Sequence, residues 1–345
     1  MSEITVTARK NAAALLRESI VWDNHGCMPV ARPHDTTFLH QLQRYQASGV
    51  SAVMLNVGFG DMGIEDHVRT LASLRHWLQA RPKEYLLLNT SDDIELAHAT
   101  GRLAVGFDIE GANAVADQPS LVSLYYDLGV RWMLLAYNNN NLVGGGCQDE
   151  DTGLTVYGRQ VIAEMERVGM QVCCSHTGHR TVRDVFDIAT KPVIFSHSNP
   201  SAVHSHPRNI PDDLIQACAA TGGVVGINGI GTFLGGNDNN SATFARHVDH
   251  VAQLVGPDHV ALGLDYVFDT QELDDYLAKM GHSFPAELGY KTGVLMVAPE
   301  QLEDIVVILQ GWGYSDANLR AILGGNLMRL ARTVWRPSYQ TTPSQ

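Results

Sequence analysis

Short runs of β-branched or apolar residues recur along the chain, and each ends in polar or glycine residues. Eight can be read: SIVWDNHG, SAVMLNVG, LAVGFDIEG, RWMLLAYN, QVCCSHTG, PVIFSHSN, GGVVGING and HVALGLDY. Between them lie stretches whose apolar residues recur at the three-and-four spacing of an amphipathic helix: Thr37 to Ala47, Glu65 to Ala80, Tyr157 to Val168, Val182 to Ala189, Pro211 to Thr221 and Thr243 to Leu254. Strand followed by helix, repeated, predicts parallel strands joined by helical crossovers.

Eight units predict an α/β fold of the (β/α)8 TIM-barrel type rather than a doubly wound sheet. Polar residues fall at the C-terminal end of strand after strand, and in a barrel those ends meet on one face, where active sites are built. Two further helical stretches, near Pro299 to Gln310 and Ser315 to Ala331, are expected to close the barrel from outside. With no linker, repeat or compositional break, residues 1–335 are expected to form one catalytic barrel domain and 336–345, RPSYQTTPSQ, a flexible tail.

Composition narrows the function. The 345 residues are 45% hydrophobic and 18% charged, as in a globular chain with a large core. Lys and Arg number 24 against 37 Asp and Glu, a formal charge of −13, which argues against nucleic-acid binding through a basic surface. The N-terminal stretch lacks a basic segment followed by an apolar core, and no run approaches about 18 apolar residues, so neither a secretory signal nor a membrane span is expected. The five cysteines, Cys27, Cys147, Cys173, Cys174 and Cys218, are odd in number and unpaired in spacing. They suit free thiols in a reducing compartment, and the expected location is cytoplasmic.

Five of the eight strand ends carry a metal-ligating or acid–base group: His25 with Cys27, Glu110, His176, His197 and Asp265. A lone histidine at a strand end is most often hydrogen-bonded structure, but a barrel brings all five ends together. Imidazoles and a carboxylate suit Zn²⁺ and related ions. If Glu110 bridges two ions, His25 completes one site and His176 with His197 the other, with room for a shared hydroxide, which is hydrolase chemistry.

With these residues placed, the sequence resembles the membrane (renal) dipeptidase family, peptidase family M19, among the metallo-dependent amidohydrolase-type barrels. The resemblance runs through DNHG, DIEGANAV, SHTGHRTVRDV, PVIFSHSNPSAVHSHPRNIPDDLI, GGVVGING, DHVALGLDY and GGNLMRL. It implies metal ligands at His25, Glu110, His176 and His197, with Glu110 bridging. It also implies Asp265 beside the substrate amine as a proton relay, and Arg208 pairing with the dipeptide carboxylate, a role the guanidinium fork suits.

Two positions depart from the family pattern. Cys27 stands where the family has a metal-binding aspartate. Three outcomes stay open: a thiolate ligand favouring zinc, a weak or empty first site, or a small packed residue. Tyr137 stands where the family has a histidine that helps to stabilise the oxyanion. Its hydroxyl can donate the same hydrogen bond but cannot carry positive charge.

Other features have plainer readings. Asp23 and Asp108 each precede a ligand by two residues and are expected to share its strand face, either to orient it or as structure. Cys173 and Cys174 should point to opposite faces of their strand as buried thiols. His179, His204 and His206 read as loop residues near the site. Asn138–Asn141 and Gly144–Gly146 suggest a mobile, turn-rich loop over the barrel mouth, and GGVVGING reads as close backbone packing rather than a phosphate loop.

The expectation is a zinc-dependent hydrolase with one or two Zn²⁺ ions. It would cleave the amide bond of a dipeptide or small N-acyl amino-acid-like substrate, with a metal-activated hydroxide attacking the carbonyl. The alternative is a diverged one-metal relative, a non-peptidase tailoring enzyme or a binding protein for a modified amino acid. The expected partner is a small molecule with a free carboxylate, without nucleic acid or membrane, and the resemblance suggests a homodimer.

Overall fold

A computed structural model describes residues 3–27, 35–279, 281 and 284–336. Parallel strands β1 (Trp22–Cys27), β2 (Ala52–Phe59), β3 (Tyr85–Leu87), β4 (Leu103–Glu110), β5 (Val130–Leu134), β6 (Gln171–Cys173), β7 (Val225–Ile227) and β8 (Val260–Leu262) are followed by a short β9 (Tyr266–Val267). Their order is β6-β5-β4-β2-β1-β8-β7. Residues 193–195 close the ring, bridging Cys173 through Ile194 and Val225 through Phe195. The staves are therefore β1, β2, β4, β5, β6, this segment, β7 and β8, and each coincides with one of the eight runs. β3 is additional: it pairs with the first half of β4, while β5 takes the second half.

Closure at the 193–195 segment depends on glycine. A Cβ on Gly226 or Gly263 would come within 2.1 or 2.0 Å of the Ser196 carbonyl oxygen, so no other residue allows this approach. GGVVGING is thus a packing segment, as its composition suggests.

Alternation along the strands divides the core. Trp22, Met54, Trp132, Leu134, Cys173 and Ile194 fill the barrel interior, whereas Cys174 belongs to the layer between sheet and helices. The interior is closed at the strand N-termini by the helix Asn326–Val334, whose Leu327, Met328 and Leu330 pack onto the Trp22 cluster. This differs from the expected outer position: the helix carries its apolar face inward as a plug. The helix Leu302–Gly311 does lie outside, against Glu3–Glu18 and Ser241–Val255.

No helix among the described residues is long and apolar enough to cross a membrane. Arg336, expected to open the tail, is held to the body, its backbone N–H donating to the Tyr126 hydroxyl at 2.9 Å. Residues 337–345 lie outside the described residues.

Candidate metal centre

Three buried histidines reach the barrel mouth from three strand ends, and each has its Nδ1 engaged from behind. His25 Nδ1 lies 3.1 Å from Asp108 Oδ2, His176 Nδ1 lies 2.7 Å from Asn138 Oδ1, and His197 Nδ1 lies 2.7 Å from Ser196 Oγ. Such contacts fix ring orientation and turn each Nε2 toward the barrel axis. There the Nε2 atoms of His25, His176 and His197 lie 3.5, 3.4 and 3.0 Å from one oxygen, Glu110 Oε1.

Glu110 Oε1 is buried and has no hydrogen-bond partner. A buried acceptor in that state is costly unless a cation takes it. Burial pushes the Glu110 carboxyl up to about 8. Burial also disfavours charge on His25, but Asp108, Glu110 and Cys27 outweigh it and hold the imidazole pKa well above its ordinary value. His176 and His197 are pushed well below theirs, first by burial and then by the positive charge of Arg208 and His25, which keeps them neutral, as metal ligands must be.

The potential ligand atoms of His25, Cys27 and Glu110 lie within 4.8 Å of one another, and so do those of Glu110, His176 and His197. Glu110 is common to both groups. An orphaned carboxylate oxygen facing three imidazole nitrogens fits a divalent cation, and the shared glutamate fits a pair of them.

Around this cluster stand the other expected residues. The Cys27 sulfur lies 3.4 Å from His25 Nε2, and its thiol donates to Asp265 Oδ1 at 3.2 Å. Burial raises the Cys27 pKa well above the usual thiol range. Asp265 Oδ2 accepts from Asn228 Nδ2 at 2.8 Å. The Tyr137 ring stacks on His176, with centroids 4.2 Å apart. Arg208 is buried. It donates from Nη2 to the His197 carbonyl at 3.1 Å, and its Nε has no partner. No carboxylate among the described residues pairs with it.

Asp108 behaves as its position suggests. Asp23 takes the structural alternative: its carboxylate accepts from the Tyr45 hydroxyl and the backbone N–H groups of Leu264 and His25. The reason is local, since the pairing of β1 with β2 shifts register between Asp23 and Gly26. That irregularity interrupts the regular alternation on which a shared strand face for Asp23 and His25 depends.

Asn138, Ser196 and Asn228, which hold His176, His197 and Asp265, are not legible as such from composition. The usable signal is that each lies at or just past the end of an apolar run. The expected mobile loop is instead built into the barrel mouth. Asn138 and Gly144–Gly146 are buried, and the Gly145 and Gly146 N–H groups donate to Thr181 Oγ1 and Asn140 Oδ1. His206 Nδ1 accepts from the Arg208 N–H, and its Nε2 lies 2.8 Å from the Leu288 carbonyl, so it braces the arginine segment.

Backbone strain collects here. Asn138, His176 and Asp265 have φ of +58°, +60° and +56°, three of the five non-glycine residues with positive φ among those described. Such conformations persist where surrounding contacts over-determine them. Beneath the cluster lies Trp132, its ring 5.4 Å from that of His25 and 6.2 Å from that of His197. Above it opens a cavity of about 360 Å³ with Cys27, Glu110, His176 and Asp265 in its lining.

The sequence profile of the membrane dipeptidase family, peptidase family M19, matches residues 9–279. The chain belongs to this family. Among curated dipeptidase-family relatives, it is 31% identical over 264 residues to an uncharacterized dipeptidase of Schizosaccharomyces pombe, covering 73% of this chain and 58% of that one. It is 32% identical over 254 residues to the dipeptidase verJ of Clonostachys rogersoniana, covering 72% and 60%. The chain thus spans about three fifths of these two relatives' length. A solved amidohydrolase from Pseudomonas aeruginosa superposes with TM-score 0.82 at 27% identity, over 94% of this chain and 99% of that one. The barrel is therefore that of metallo-dependent hydrolases, and the family implies a divalent metal.

Proposed function

We propose that this chain is a two-zinc dipeptidase, hydrolysing the amide bond of a dipeptide or similar small molecule with a free carboxylate. Glu110 Oε1 carries the reading: it is buried, unpartnered and faced by three imidazole Nε2 atoms. His25, Cys27 and Glu110 would hold one ion, and Glu110, His176 and His197 the other. Sulfur and imidazole donors favour zinc over harder ions such as magnesium. When bound, the ions lower the pKa of a water and polarise the scissile carbonyl.

The remaining steps belong to the chain. Arg208, a buried cation with an unpartnered Nε, takes the substrate carboxylate through its planar fork. The Tyr137 hydroxyl donates to the carbonyl oxygen as it gains negative charge. Asp265, oriented by Asn228, accepts a proton from the attacking water and returns it to the leaving amine. Trp132 shields the site from below, which strengthens these polar contacts.

The test is metal analysis beside hydrolysis of a dipeptide library that includes D-residues at the C-terminal position. Two zinc ions per chain, cleavage of several members, and loss of metal and activity together in His176→Ala and His197→Ala support the proposal. Full activity in metal-free protein overturns it, as does intact metal binding without cleavage of any member.

A further inference from the structure

The cavity above the metal ligands gathers its metal-ligating groups at its base and is mostly apolar elsewhere. Most of the rest of the described wall comes from Phe59 at the end of β2, Met62 beyond it, Ile230 and Phe233 after β7, and residues between 267 and 294. Within it the aromatic rings meet edge to face in an unbroken belt. Phe59 and Tyr276 have centroids 5.0 Å apart, Tyr276 and Phe284 5.5 Å, Phe284 and Tyr290 5.2 Å, and Tyr290 and Phe233 5.9 Å. Tyr137 joins this belt at Phe59, 5.5 Å away, and also stacks on the ligand His176. The belt therefore begins at the reacting centre.

Its two ends differ. The Arg208 guanidinium lies 5.2 Å over the Phe233 ring, whereas Phe59, Met62 and Tyr276 stand at the other end. A substrate whose carboxylate reaches Arg208 directs its other residue toward Phe59 and Tyr276. The described lining holds no lysine or arginine, so an anionic side chain set against this largely apolar wall loses its hydration without gaining a cationic partner there.

We propose that the aromatic belt is the specificity pocket for a large apolar side chain on the substrate's amino-terminal residue. This rests on the dipeptidase reading and assigns it a substrate class: dipeptides beginning with phenylalanine, tyrosine, tryptophan or leucine. The volume suits such a group, since cavities of this scale and polarity enclose small apolar ligands. Edge-to-face rings leave their neighbours free to pack a further ring in the same manner.

The test is kcat/KM for Phe-Ala, Ala-Ala, Asp-Ala and Ala-Phe with the zinc-loaded protein. Burial of a phenyl group against such a wall predicts Phe-Ala above Ala-Ala by on the order of a hundredfold. Asp-Ala falls below Ala-Ala, and Ala-Phe gains much less than Phe-Ala. Tyr276→Ala and Phe284→Ala each lower the Phe-Ala to Ala-Ala ratio. Equal rates for Phe-Ala and Ala-Ala, or a ratio unmoved in both variants, overturn the pocket while leaving the dipeptidase reading intact. If no dipeptide is cleaved, the dipeptidase reading falls. Calorimetric binding then decides the pocket: Phe-Ala at least tenfold tighter than Ala-Ala upholds it, and equal or absent binding overturns it.

Discussion

The Cys27 sulfur lies 3.4 Å from Nε2 of His25, so that the two side chains converge on one point from the end of one strand. Where the family pattern has an aspartate, this chain offers a single soft donor, and its consequence is spectroscopic. Cobalt replacing zinc should give an intense thiolate-to-metal absorption in the near ultraviolet, lost in Cys27→Ser. Metal content should fall from two ions to one in Cys27→Ala and return to two in Cys27→Asp. Two ions in Cys27→Ala, with no thiolate band in the wild type, would show that the sulfur is no ligand.

Asn138 holds the ring of His176 through its side-chain oxygen and does so at φ of +58°. Two substitutions separate these roles. Asn138→Gly removes the side chain while suiting the left-handed backbone, and loss of such an orienting contact typically weakens metal binding by about 10- to 100-fold. Asn138→Ala should weaken it equally and be about 1–2 kcal/mol less stable than Asn138→Gly, because alanine sets a Cβ in the left-handed region. Competition with a zinc chelator reads the first effect and urea unfolding the second. Unchanged zinc affinity in Asn138→Gly would mean that the ring is held by its packing alone.

Much of this architecture was legible because the physics that forms it is local. Eight apolar runs became eight staves, and the polar residue ending each of five runs came to the same face. What was not legible depended on partners distant in sequence. Asn138 looked like part of a solvated asparagine run until β6 placed His176 against it. Asp23 and Asp108 looked equivalent in sequence, each two residues before a ligand, but beside the register shift in β1 Asp23 is held by Tyr45 and Leu264. The plug formed by Asn326–Val334 has the periodicity of any amphipathic helix, and only its surroundings tell the inside of the barrel from the outside. The aromatic belt gave no periodic signal, since its rings, Tyr137 included, come from four separated parts of the chain.

Arg208 combines burial, a side-chain donation to the His197 carbonyl and an unpartnered Nε, an arrangement that a substrate carboxylate would complete. Arg208→Lys keeps the charge and loses the fork, so KM should rise about tenfold with kcat largely kept. Arg208→Gln loses both, and a charged hydrogen bond worth about 1.5–3 kcal/mol corresponds to a rise of about 10- to 100-fold. The wild type should also reject a dipeptide amide in favour of the free acid, and Arg208→Gln should lose that preference. Equal hydrolysis of acid and amide by the wild type would place the carboxylate elsewhere.

Far from the metal ligands, His247 is fully buried on the helix Ser241–Val255, with Nε2 3.0 Å from the Leu234 carbonyl. Burial pushes its pKa down from 6.5 to about 4. The Leu234 carbonyl opposes this, and the positive charge of His204, Arg246 and His250 reinforces it. The unfolded chain therefore binds a proton below pH 6.5 that the folded chain refuses until about 4. Stability contributed by neutral His247 is complete above pH 6.5 and is lost as the pH falls toward 4, amounting to at most about 3 kcal/mol. His247→Gln can keep a donor for Leu234 and removes the titration. Urea unfolding of wild type and variant at pH 7.5, 6 and 5 should therefore show the wild type losing stability relative to the variant as the medium becomes more acidic, whatever offset the substitution introduces at pH 7.5. Parallel curves would show that His247 takes up its proton equally well in the folded and unfolded chain.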